Sequence, residues 1–337
     1  MSGPQLMCEP VVHSGKIGCR QGHVQRHVAG MNPKLSSVTA ARGGWLTRTD
    51  ATLAGYSDSE LRLRLRSGQW RRLTRDAYVE PAAWPADEQP WSRARRLHLL
   101  MTRAVLARLS PDVVLSHQSA AVAFGLPTWG LDLSRVHVTR AEGRPRSNSV
   151  AVVHRSHIGL DDVVELDGLR MVTPARAIAE TTCVSSYEVG VVLGDAALHQ
   201  ELTTVVDLVA AADRQLYRPG SPAARAAARF ADGLSESVGE SRMRVLMAGQ
   251  QLPTPRLQVE IRDDSGELIA RVDFLLGERF VVEFDGVEKY GAAPAAAVLA
   301  EKYREDRLRA RGYQVARTSW SDLDHPRATA RRIRDAL

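Results

Sequence analysis

Asp273, Glu283 and Asp285 are the residues of this sequence whose type and spacing point most directly to chemistry. They lie in Arg271-Val-Asp-Phe-Leu-Leu-Gly-Glu-Arg-Phe-Val-Val-Glu-Phe-Asp-Gly286. Two apolar runs flank a short connection containing Gly277, the pattern of a β-hairpin. A loop of Gly277 to Arg279 pairs Leu276 with Phe280 and sets Asp273 opposite Glu283, and alternation puts Asp285 on the same face. The other face is Val272, Phe274, Leu276, Phe280, Val282 and Phe284, all apolar. Like charges opposed across a sheet destabilise it. A divalent cation would remove that cost, so the hairpin has the pattern of a metal site.

The elements that must position these acids follow from the flanking sequence. A helix is expected from Glu236 to Ala248, stopped by Gly249, then a strand from Leu257 to Arg262 and a turn at Asp263 to Gly266. After the hairpin come a helix from about Ala295 to Arg311 and a strand from Tyr313 to Thr318. Glu240 falls on the first helix and Lys289 just past the hairpin. Lys302 falls on the second helix, on one face with Asp306 and Arg309. This α-β-β-β-α-β order, with acids on the second and third strands, is the core arrangement of PD-(D/E)XK nucleases. Glu240-Ser-Arg, Arg271-Val-Asp-Phe, Val282-Glu-Phe-Asp-Gly286, Asp306-Arg-Leu and Gly312-Tyr-x-Val resemble the very-short-patch-repair-like endonuclease domain. The resemblance implies that Asp273 and Glu283 hold Mg²⁺ (or Mn²⁺), with Glu240 reaching the same ion or orienting the attacking water. The chain departs from that family at Asp285, where the family carries Lys; Lys289 and Lys302 are the candidates for the missing cation.

A second concentration of chemistry lies near the N-terminus. Arg62, Arg64, Arg66, Arg71, Arg72 and Arg75 crowd one short segment. Thr47 to Gly55 reads as a short helix, and Ser57-Asp-Ser-Glu60 is a capping box opening a second helix through Arg66. Trp70 to Leu73 and Ala77 to Val79 then flank a turn, as in a small two-stranded wing. Helix, tight Gly turn, helix and β-ribbon form a winged helix-turn-helix, which places its second helix in a major groove and its arginines on phosphates. Thr47-Arg-x-Asp50, Ala54-Gly55-Tyr56 and Arg66-x-Gly-x-Trp-x-Arg-Leu73 resemble the N-terminal winged helix of AbiEi-type antitoxins of type IV toxin–antitoxin systems. That resemblance implies DNA and a cognate toxin as partners.

The remaining sequence is read as support. At 337 residues the chain is too long for one average domain. Its 44% hydrophobic and 25% charged content is that of a globular protein. No apolar run is long enough to span a bilayer and no signal-peptide h-region opens the chain, so a cytoplasmic protein without membrane contact is expected. A net charge of +6, carried largely by clustered Arg, favours a polyanionic partner. Residues 1–38 lack periodicity and read as a disordered leader, or as an extension upstream of a start at Met31; Cys8, His13, Cys19, His23 and His27 match no zinc module. Residues 91–215 read as an α/β scaffold whose His117, His137, His154 and His157 serve as core or surface histidines, and 216–235 as a linker.

The expected fold is thus α+β and multidomain. It comprises a winged helix-turn-helix over 39–82, a mixed α/β middle region and a restriction-endonuclease-like domain over 236–337. Two functions follow: a DNA-binding protein whose C-terminal domain hydrolyses phosphodiesters with Mg²⁺, or a non-catalytic DNA-binding regulator of the antitoxin type.

Overall fold

Paired capping boxes fix the first unit. In the computed structural model, which describes residues 30–81, 84–85, 87–286 and 295–337, Thr47 and Asp50 cap helix α2 (Arg48–Leu53). Ser57 and Glu60 cap α3 (Asp58–Arg66) in the same way. Each box satisfies backbone N–H groups that a helix start leaves open. Gly55, at φ +94°, makes the turn between them, a left-handed conformation that suits glycine. Strands β2 (Arg71–Thr74) and β3 (Ala77–Val79) form the wing, and β1 (Leu46–Thr47) pairs with β3 to complete a three-stranded sheet. Leu35, Leu46, Ala51, Leu61, Trp70 and Tyr78 are its core.

Helix α1 (Pro33–Ala41) begins inside residues 1–38, the expected disordered leader. It buries only Leu35 and Thr39, too sparse a stripe to register as a pattern. Asn32 holds it from both sides: its Oδ1 accepts from Leu35 N–H at 2.9 Å, and its Nδ2 donates to the Ala54 carbonyl at 2.8 Å. The Cys and His residues at positions 8 to 27 lie outside the described residues.

Helix α4 (Pro90–Leu106) leads into the middle region. There β4 (Val114–Leu115), β5 (Val136–Arg140), β6 (Arg146–Ser147), β7 (Ala151–Arg155), β8 (Val163–Leu166) and β9 (Leu169–Val172) form a sheet in the order β6-β7-β5-β4-β9-β8. The β5–β7 and β4–β9 pairs are parallel. Helix α5 (His117–Ala123) follows β4 directly. Helices α6 (Pro174–Val184), α7 (Tyr187–His199), α8 (Val205–Asp213) and α9 (Ser221–Phe230) make an Ala-rich cluster beside the sheet.

Helix α9 corrects the expected polar linker. Ala224, Ala227 and Ala228 are buried at helical spacing, an apolar stripe of the smallest side chains that reads as polar because Arg, Pro and Ser surround it. Its packing is close enough that a Cβ on Gly190 of α7 would meet Ala227 Cβ at 2.9 Å.

The last unit follows the expected element order: α10 (Val238–Gly249), β10 (Arg256–Arg262), β11 (Leu268–Leu276), β12 (Phe280–Phe284), α11 (Ala295–Ala310) and β13 (Gln314–Thr318). Helices α12 (Trp320–Leu323) and α13 (Pro326–Ala336) close the chain. The sheet order is β10-β11-β12-β13, antiparallel except for the β12–β13 pair. The hairpin register is Leu276–Phe280, Leu275–Val281 and Phe274–Val282, the pairing the Gly277 loop demands. One expectation fails in detail. The acid-bearing face is also covered, because Leu275 and Val281 pack with Leu308 of α11 in a second apolar cluster.

The middle and last units share a buried ion pair. Arg244 of α10 donates to Asp195 of α7 at 2.6 Å and to the Phe230 carbonyl at 2.7 Å. Burial pushes the Asp195 carboxyl up, and Arg244 opposes that shift.

Candidate functional site

The basic surface divides into exposed arginines and one that is not. Arg62 and Arg66 on α3, Arg71 and Arg72 on β2, and Arg75 in the wing turn are exposed. Arg64 is buried: its guanidinium sits 5.0 Å from the Tyr56 ring and 5.3 Å from the Trp70 ring. Cation–π contact of this kind holds α3 against the wing. Arg64 therefore belongs to the packing of the module and leaves the set of expected DNA contacts. Helix periodicity explains the split, since positions 62 and 66 share a face that 64 opposes. A shallow cleft of about 420 Å³ runs between α3 and the wing, lined by Leu65, Gly68, Trp70, Arg71, Arg72 and Pro81.

At the other end of the chain the acids come together with arginines. Phe284 N–H donates to Asp273 Oδ2 at 2.8 Å, so Asp273 reaches across to β12 as the register requires. Glu283 is buried and faces two guanidiniums, Arg304 of α11 at 3.2 Å and Arg317 of β13 at 3.8 Å. Arg317 also pairs with Asp285 at 3.2 Å and Glu305 at 3.1 Å. Glu240 accepts from Glu236 N–H at 2.9 Å, Ser237 Oγ at 2.7 Å and Gln258 Nε2 at 3.0 Å. Burial pushes its carboxyl up and the Asp273 charge adds to that, against the hydrogen bonds from Glu236 and Ser237.

Of the two cations expected at this site, Lys302 is placed otherwise. Lys302, Asp306 and Arg309 do share a face of α11, but it is the exposed one; Arg304, Arg307 and Leu308 turn inward. Lys289 lies outside the described residues. Among the described residues, Arg304 and Arg317 bring charge to the hairpin acids. In the sequence, Arg304 sits two positions from Lys302 on the helix and so falls on a different face. Arg317 is the register partner of Glu283 in the parallel β12–β13 pair, a relation visible only once β13 is known to lie there.

A divalent ion at these acids would meet competition. Among the described residues, the group of three side chains whose ligand atoms lie within 4.8 Å of one another is His117, His137 and His154, not the acids of the hairpin. A dication at Glu283 would have to displace two guanidiniums already within ion-pair distance. Among the described residues the hairpin acids are already held by guanidiniums, which counts against a metal ion there.

The described residues thus define a helix-turn-helix-like module joined to two α/β units, and among them no helix is long and apolar enough to cross a membrane. Residues 34–81 match the family model described as "Transcriptional regulator, AbiEi antitoxin". Two uncharacterized proteins of Mycobacterium tuberculosis, from strains CDC 1551 / Oshkosh and ATCC 25618 / H37Rv, are each 36% identical over 122 residues. That match spans 36% of this chain and 44% of each relative, so the chain covers under half the length of the curated relatives it matches.

Proposed function

We propose that this protein is a DNA-binding transcriptional regulator of the antitoxin type that docks through α3 and its wing. One observation carries the proposal: five arginines are exposed on α3 and the adjoining wing, while the sixth packs inside to hold that surface together. The family match over residues 34–81 supports it. Arg62 and Arg66 would enter the major groove with α3, and Arg71, Arg72 and Arg75 would hold phosphates. Electrophoretic mobility shift with DNA from upstream of its own gene tests the proposal. Binding that weakens when Arg71→Ala and Arg72→Ala are combined is expected; no affinity at low salt would overturn it.

A second function, phosphodiester hydrolysis with Mg²⁺ or Mn²⁺, draws on the acids of a hairpin whose strands pair from Leu276–Phe280 to Phe274–Val282 and on the nearness of Glu240 to Asp273. The guanidiniums of Arg304 and Arg317 on Glu283 weigh against it. Plasmid cleavage that requires Mg²⁺ and disappears in Asp273→Ala would establish it in place of the purely regulatory role. Uncut plasmid leaves the C-terminal unit without hydrolytic activity.

A further inference from the structure

We infer that His117, His137 and His154 form a binding site for a first-row divalent metal ion, with Zn²⁺ the best match to three imidazoles. The site lies in the middle region, apart from both the arginine surface and the acid hairpin. His117 opens α5, His137 is on β5 and His154 is on β7. Their ligand atoms all lie within 4.8 Å of one another, and His137 Nδ1 is 3.0 Å from His154 Nε2. Two nitrogens bound to one tetrahedral zinc stand about 3.3 Å apart, given Zn–N bonds of about 2.0–2.1 Å. The spacing of this pair is therefore close to that of two ligands on one ion.

The surroundings supply what imidazole ligands need. Metal-bound histidine usually passes its second ring proton to a carboxylate or a carbonyl. Glu180 of α6 is fully buried, with its Oε2 3.4 Å from His117 Nδ1, while its Oε1 accepts from Arg176 at 2.9 Å. His117 Nδ1 also stands 3.0 Å from Ser116 Oγ, so Nδ1 faces the protein's own polar groups and Nε2 is the nitrogen left for a metal. Glu180 Oε2 makes no hydrogen bond of its own, and neither do two other buried oxygens nearby, Gln118 Oε1 and Thr139 Oγ1. Thr139 is the register partner of His154, and the Gln118 amide stands 2.9 Å from His137 Nε2. That amide also donates to the Asp132 carbonyl at 3.3 Å, so turning its oxygen to His137 Nε2, which would free the Nδ1 lone pair for the cluster, gives up that bond. Buried polar atoms without partners are rare enough to require an explanation. A bound ion with its water supplies one.

Backbone strain agrees with this assignment. His117 has φ +50°, a left-handed conformation uncommon for a residue with a Cβ and of the kind concentrated at functional sites. Arg176 and Arg218 set positive charge near the cluster, against a cation, and Arg176 is offset by pairing with Glu180 at 2.9 Å and Asp162 at 2.7 Å. One rearrangement is required. The His117 and His154 rings are stacked, with centroids 3.7 Å apart at 15°, and His154, half-buried, must turn to bring its lone pair to the ion.

Cobalt titration of the chelator-stripped full chain tests the site, because tetrahedral Co²⁺ absorbs strongly in the visible. One equivalent is expected to bind with nitrogen-type bands, and Zn²⁺ is expected to displace it and raise the Tm. His154→Gln, which changes a half-buried ring, should weaken binding by at least about tenfold, the lower bound for losing even an outer-shell partner. His157→Gln, an exposed neighbour, should leave it unchanged. Circular dichroism confirms that both variants fold, and His137→Gln repeats the test if His154→Gln does not. Failure to bind Co²⁺, binding of equal strength in the trio variants, or thiolate charge-transfer bands that place the ion on Cys8 or Cys19 would each overturn the assignment.

Discussion

The acid hairpin and the histidine cluster teach opposite lessons about spacing. Asp273, Glu283 and Asp285 lie within one hairpin, and their register alone made a cation look necessary. The fold supplies cations from the protein itself, Arg304 from a helix and Arg317 from the parallel strand. His117, His137 and His154 come from three elements with no shared spacing, yet the sheet brings their ring nitrogens within ligand distance of one another. Local pattern exposes a cluster only when its members share an element. Its neutralising partners are set by topology.

The sharpest way to separate the two regions is to remove one carboxylate from each. Glu180→Ala strips a partner from Arg176, whose side chain is 6% exposed. A loss of about 3–5 kcal/mol in urea unfolding is expected, the usual effect of breaking a buried pair. Glu283→Ala should destabilise less, because Arg304 and Arg317 are each 30% exposed at the side chain and can regain water. Equal losses would erase the contrast between a buried and a solvent-accessible charge cluster.

Acid should act on the regions with opposite sign. The histidines' folded pKa values are depressed, to about 3 for His137 and about 4 for His154 against 6.5 for the free group. Between those limits the unfolded chain binds protons that the folded chain does not. Their contribution to stability is therefore full above 6.5, falls as pH drops through that window, and levels off below the folded values. Glu240, whose carboxyl is raised by burial, is easier to accommodate protonated, so its contribution grows as pH falls. Urea midpoints measured from neutral to mildly acidic pH check this. The decline below 6.5 should flatten in His154→Gln and persist in Glu240→Gln.

A smaller contrast lies within α11. Lys302→Ala, on the outer face, should alter stability by no more than about 0.5 kcal/mol. Arg304→Ala should cost more, because it leaves the buried Glu283 with Arg317 alone of the two arginines described above. Thermal denaturation of the two variants side by side decides which residue is the working cation of the hairpin.

Much of this fold was legible. The Ser57–Glu60 capping box, the wing and the Gly277 register are local features, and each took the form its residues dictate. What escaped depends on packing. Helix α1 presents one buried leucine, α9 is an alanine stripe, and Arg64 is turned inward by two aromatic rings that flank it only after α3 and the wing meet. Of the functional surface, the exposed arginines could be read from the segment itself, whereas the division between contact and core arginines needed the helix phase.

The regulator proposal is tested most directly by the salt dependence of DNA binding. Each phosphate contact that is lost should lower the slope of log K against log salt by about 0.9 on duplex DNA. Arg71→Ala and Arg72→Ala combined should therefore flatten the slope by about 1.8, while Arg64→Ala should destabilise the module and leave the slope of its folded fraction unchanged. A slope that ignores Arg71 and Arg72, or that responds to Arg64 as to them, would contradict the proposed docking surface.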